Sequence, residues 1–146
     1  MRTVIAPLMP EVEAELAALD ARLRDIARRY VRRLALEPLL GSVVPRGPLA
    51  TVGARRICFD RDNRPEDLFR ARRPPARRGD QDPSAGPRWR IVYWVADAQR
   101  TQTRIIVILA VGRGHAKPPH ENAYEVATRR LRAIARDTSC KQRRPK

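Results

Sequence analysis

The sequence predicts a small α+β protein: a curved antiparallel sheet of about four strands, packed against an N-terminal helical pair or long helix, with a C-terminal helix. Three observations carry that prediction. Residues 9–34 repeat apolar side chains at spacings of three and four, which is one stripe of a helix. Trp89–Val95 and Thr103–Val111 are the best strand candidates, close enough in sequence to form an antiparallel hairpin. Asn122-Ala123-Tyr124-Glu125 has the Asn-x-x-Glu form of a capping box and opens a last helix.

In chain order, Thr3-Val4-Ile5-Ala6 is a short β-prone run ended by Pro7, suited to a strand at a sheet edge. The stripe of Met9, Val12, Leu16, Leu19, Leu23, Ile26, Tyr30 and Leu34 follows, and Pro38 stops it. Its continuity favours one long rod over residues 10–36, while Asp20 as an N-cap would divide it into a hairpin of two helices. The density of Pro and Gly over residues 38–53 predicts a loop. Arg55-Arg56-Ile57-Cys58-Phe59 reads as the second strand.

Residues 60–88 are rich in Arg, Pro and Asp and poor in apolar side chains, so they predict a long, flexible basic insertion. In the hairpin, period two puts Trp89, Ile91 and Tyr93 on one face and Arg90, Val92 and Trp94 on the other. The second hairpin strand is apolar on both faces, which suits a central strand covered on both sides. Beyond Gly112 and a loop with Pro118 and Pro119, the last helix carries Tyr124, Ala127, Leu131 and Ile134 on one edge. One domain is expected over residues 1–138, followed by a disordered basic tail, 139–146.

The formal net charge of +15 on 146 residues, with a pI near 11.5, is most simply offset by a polyanionic partner. No stretch approaches the about 20 apolar residues of a spanning helix, so a soluble cytoplasmic protein that binds nucleic acid is expected. Only Lys117, Lys141 and Lys146 are lysines. Arginine excess also follows from GC-rich coding, so the weight falls on where individual arginines sit. Cys58 and Cys140 match no metal or redox spacing and read as free thiols. His115 and His120 lack further ligands for zinc, and Asp60-Arg61-Asp62-Asn63 lacks the glycine and glutamate of a calcium loop. No metal and no small-molecule cofactor is expected.

The order of elements, together with Trp89-Arg90-Ile91-Val92-Tyr93, Leu109-Ala110-Val111-Gly112 and Ala123-Tyr124, resembles the RelE/ParE superfamily of bacterial type II toxins over residues 2–136. For the RelE type, the resemblance implies a helical pair on one face of a curved antiparallel sheet. It also implies metal-independent cleavage of mRNA in the ribosomal decoding site and neutralisation by a cognate antitoxin protein. Arg90 matches the strand arginine placed against the scissile phosphate, Arg113 the basic residue after the glycine, and Tyr124 the tyrosine near the last helix. The chain departs from the family pattern in a longer segment between Gly112 and Tyr124 and a large insertion before Arg88.

Cutting RNA without metal requires a base for the 2′-hydroxyl, charge stabilisation at phosphorus and an acid for the leaving oxygen. Arginine suits the stabilising step, because its fork of donors is permanently charged. Tyrosine serves as a base only where neighbouring cations favour its phenolate, so His115 and His120 compete with Tyr124 for proton transfer. Trp94 is the candidate for base stacking and Trp89 for the core. Arg70, Arg72, Arg73, Arg77, Arg78 and Arg88 would form a rail along ribosomal RNA. The expected function is therefore that of a ribosome-dependent endoribonuclease toxin. Its rivals are a ParE-like gyrase poison and a non-catalytic nucleic-acid-binding module. The nuclease reading requires the Arg90 guanidinium to project into a hollow open to a ribonucleotide.

Overall fold

The computed structural model describes residues 2–62, 87–114 and 122–143. Its elements are β1 (Arg2–Ile5), α1 (Pro10–Ala18), α2 (Ala21–Leu34), β2 (Ser42–Val43), α3 (Gly47–Thr51), β3 (Arg55–Phe59), β4 (Trp89–Ala98), β5 (Thr103–Arg113) and α4 (Ala123–Arg143). The class is α+β. The sheet has five strands in the order β1-β5-β4-β3-β2, not about four, and it is mixed. β1 runs parallel to β5, and the other three pairings are antiparallel.

The N-terminal stripe folds as a hairpin and not as a rod. Pro10 starts α1 in a position where its missing N–H costs nothing, with Glu11 and Glu13 in the positively polarised first turn. Leu19 then turns extended, and the Asp20 carboxylate caps α2 by accepting from Leu23 N–H at 3.0 Å. Arg24 donates to the Leu19 carbonyl at 2.9 Å, satisfying a group that the break leaves over. Both helices bury the same stripe, so the apolar repeat runs through the break without recording it.

The hairpin of helices packs Val12, Leu16, Leu23, Ile26, Tyr30 and Leu34 against Ile57, Phe59, Ile91, Tyr93, Ile106, Ile108 and Val111 on one face of the sheet. The opposite face is covered by α4, whose Ala123 and Ala127 sit against Val92, Leu109 and Ala110. These two alanines are almost fully buried, and their small side chains let α4 approach the strands closely. β5 is thus covered on both faces, as its apolar sequence predicts. Between Val92 and Tyr93 the register with β4 slips, leaving Leu109 as an extra residue in β5.

The stretch 38–53, expected to be a loop, contains β2 and α3. β2 extends the sheet by two residue pairs with β3. Its approach is held by the buried Tyr93 hydroxyl, which accepts from Gly41 N–H at 2.8 Å and donates to the Pro38 carbonyl at 3.0 Å. A side chain at Gly41 would place its Cβ 2.5 Å from the Arg56 carbonyl oxygen, so that position tolerates only glycine. The helical assignment of α4 also runs through Arg143, beyond the domain boundary expected at 138. Arg, Lys and Gln are good helix formers, which is why a charged tail can prolong a helix. Among the described residues, no helix is long and apolar enough to cross a membrane.

Candidate functional site

Arg90 lies on β4 opposite Gly112 and Cys58, on the face that α4 covers. The first turn of α4 is fixed by Asn122, whose side-chain oxygen accepts from Tyr124 N–H at 2.8 Å and whose amide donates to the Gly114 carbonyl. That brings the Tyr124 phenol over the sheet, where its oxygen accepts from Arg90 Nε at 2.9 Å and from Arg56 Nη1 at 2.9 Å. The Arg56 guanidinium also lies 5.7 Å from the centre of the Tyr124 ring. The two expected partners Arg90 and Tyr124 are therefore in direct contact, joined by an arginine of β3.

Arg90 does not project into an open hollow. It is 5% exposed, and its Nη1 donates to the Pro87 and Trp89 carbonyls at 2.6 and 2.9 Å. Gly114 backs onto the same guanidinium, since a Cβ there would lie 2.9 Å from Arg90 Nε. The physical reason is the close seating of α4 on Ala123 and Ala127, which lowers the Tyr124 hydroxyl onto the strand.

Arg113 falls on the other face. It pairs across the ladder with Trp89, and its guanidinium sits 5.5 Å from the centre of that indole, with Arg113 itself exposed. Trp89 packs partly buried on the helical-hairpin core, as expected. Trp94 is partly buried and packs against the apolar cluster on the face that α4 covers, the same face as Arg90. Arg88 is exposed; its backbone is tied down, the N–H donating to Asp60 at 3.0 Å and the carbonyl accepting from Gly114 N–H at 2.9 Å. His115, His120, Arg70, Arg72, Arg73, Arg77 and Arg78 lie outside the described residues.

Arg56 is the residue that sequence reasoning passed over. Period two places it beside Cys58 on the Arg90 face of β3, so the signal was present once β3 and β4 were read as neighbours. Among the described residues, the ion pairs involve Arg29, Arg33, Arg61, Arg104 and Arg130, and no carboxylate reaches Arg56 or Arg90. The site is two guanidiniums on one phenol, with no counter-ion among the described residues. Nor is any group of three or more His, Cys, Asp or Glu among the described residues arranged to hold a metal ion.

A scan of protein-family models, a search of curated proteins and a search of solved structures each return no match for this chain.

Proposed function

We propose that this chain is a type II toxin of the RelE/ParE kind, a ribosome-dependent endoribonuclease that cleaves mRNA without a metal ion and is restrained by a cognate antitoxin. Burial of Arg90 withdraws the open phosphate contact that the sequence reading required, and the support that stands is the Arg56–Tyr124–Arg90 cluster: two guanidiniums on one hydroxyl, with no carboxylate partner among the described residues, in a chain of net charge +15. Phosphodiester cleavage needs charge stabilisation beside a proton-transferring group, and this cluster pairs the two. The helical hairpin on one face of the sheet agrees with the architecture that the resemblance implies. The target sits in the cytoplasm, and so does the proposed site of action.

A second reading is favoured by two specific observations. The Arg90 donors at Nε and Nη1 are already taken, and Arg113 lies across the sheet from Tyr124. Both suit a non-catalytic binding protein, or a gyrase poison that acts by protein contact. Purified protein in a translating extract separates these readings. The nuclease reading expects mRNA fragments from wild type and none from Tyr124→Phe. Intact mRNA with broken DNA selects the gyrase poison, and salt-sensitive RNA binding without products selects the binding module.

A further inference from the structure

We propose that the open groove between α1 and α2 binds a second copy of this chain about a two-fold axis, α1 of each copy meeting α2 of the other; this goes beyond the reading above and does not rest on it. The groove is a cavity of about 220 Å³ lined by Leu8, Glu13, Leu16, Arg28, Val31 and Arg32. Its apolar part has a buried floor, Leu16, and two partly buried walls, Leu8 and Val31. Its charged part is divided between the helices, Glu13 on α1 facing Arg28 and Arg32, which stand one turn apart on α2. All three charged residues are exposed.

The charges select the occupant. α1 holds three glutamates and no basic residue, whereas α2 holds six arginines and one aspartate. Among the described residues no ion pair joins the two helices: Arg29 goes to Asp25, Arg33 to Glu37, and Glu15 reaches away to Arg130. Glu13, Arg28 and Arg32 therefore share one groove without pairing across it. In a two-fold interface every contact occurs twice, so a face with acid on one side of an apolar centre and base on the other is complementary to itself. Rotation about the groove lays Glu13 of one copy against Arg28 and Arg32 of the other, and the reverse, with Leu8 and Val31 of both copies between them. Ala17, one turn beyond Glu13, is exposed and small, so it does not hold the second copy away. A uniformly acidic partner would gain from the arginines and be repelled by Glu13, so the mixed face fits a copy of itself better. The net charge of +15 opposes a dimer, but at physiological salt screening limits that repulsion to about 8 Å, the scale of the local pairs.

The test is sedimentation velocity of the full chain over a dilution series at physiological salt, with urea unfolding of each variant to show that it is folded. Wild type is expected to dimerise reversibly. Glu13→Arg, and the double variant Arg28→Glu with Arg32→Glu, each make both charged junctions repulsive and are each expected to weaken association at least tenfold. Mixing these two variants restores opposite charges at both junctions, so the mixture is expected to form a heterodimer about as tight as the wild-type dimer. Arg104→Gln, which alters an exposed pair with Asp97 at the end of the β4–β5 hairpin, leaves the dimer unchanged. A wild-type chain that stays monomeric throughout the series overturns the interface. So does a dimer that both charge reversals leave intact, and so do two folded variants that fail to rescue each other on mixing.

Discussion

At Arg130 a guanidinium meets a carboxylate, whereas at Arg56 and Arg90 two guanidiniums meet a phenol and, among the described residues, no carboxylate. Both junctions tie α4 to the sheet. At the first, Glu15 on α1 takes Arg130 at 2.9 and 2.7 Å, and the pair also accepts from Val111 N–H and donates to the Leu109 carbonyl. Those backbone groups lie at and just after the bulge residue Leu109 in β5, beyond Ile106 where the ladder to β1 stops. The Glu15–Arg130 pair thus takes up two backbone groups of β5 beyond the stretch that β1 pairs. At the second junction Arg56 Nε is buried without a hydrogen-bond partner.

The sharpest way to break this comparison is Glu15→Ala. It strands a mostly buried guanidinium and the Val111 N–H together, and is expected to cost about 2–3 kcal/mol in urea unfolding. Adding Arg130→Leu should recover part of that loss, and full additivity would show that the two side chains do not act as a unit.

A middle-sized effect concerns a second phenol, that of Tyr93 on β4. Burial raises the Tyr93 hydroxyl above the usual tyrosine range, with the Gly41 N–H and the Arg55 charge pulling the other way. Above a pH of about 10 the unfolded chain gives up this proton and the folded chain holds it, so stability is intact below that pH and falls as pH rises further. The slope reaches up to about 1.4 kcal/mol per pH unit, and Tyr93→Phe should remove this component from alkaline unfolding curves. An unchanged slope in the variant would deny Tyr93 its role in pinning β2.

The smallest effect on stability is expected at Arg56. Replacing an uncompensated cation by Gln should change unfolding free energy by no more than about 0.5 kcal/mol, since repulsion is relieved as one bond to Tyr124 is lost. A loss as large as that for Glu15→Ala would make Arg56 a structural arginine and erase the contrast.

Much of the fold was legible in the sequence because it follows from periodicity. Alternation along Trp89–Trp94 assigned those residues to the correct faces, and the doubly apolar β5 announced a strand covered on both sides. Where periodicity is silent, the reading went astray. The helical stripe passes unbroken through Leu19 and Asp20, since both helices bury the same side, and only the Asp20 cap marks the turn. β2 is held by pairing with β3 and by Tyr93, contacts that span more than ten and fifty residues, so its proline- and glycine-rich sequence hides it.

The site was half legible for the same reason. Arg90 and Tyr124 could be named singly, but the closeness with which two alanines seat α4, and so the burial of Arg90, is a property of packing. Arg113 was placed by its position after Gly112, whereas the ladder pairs it with Trp89 on the opposite face.

The most direct measurement of the central claim is sequencing of RNA 5′ ends after induced expression of wild type, Arg56→Gln and Tyr124→Phe, each shown to be folded. The account predicts new 5′ ends within translated messages for wild type, and their loss in both variants. Undiminished cleavage in both variants, or growth arrest by wild type without any new 5′ ends, would contradict it.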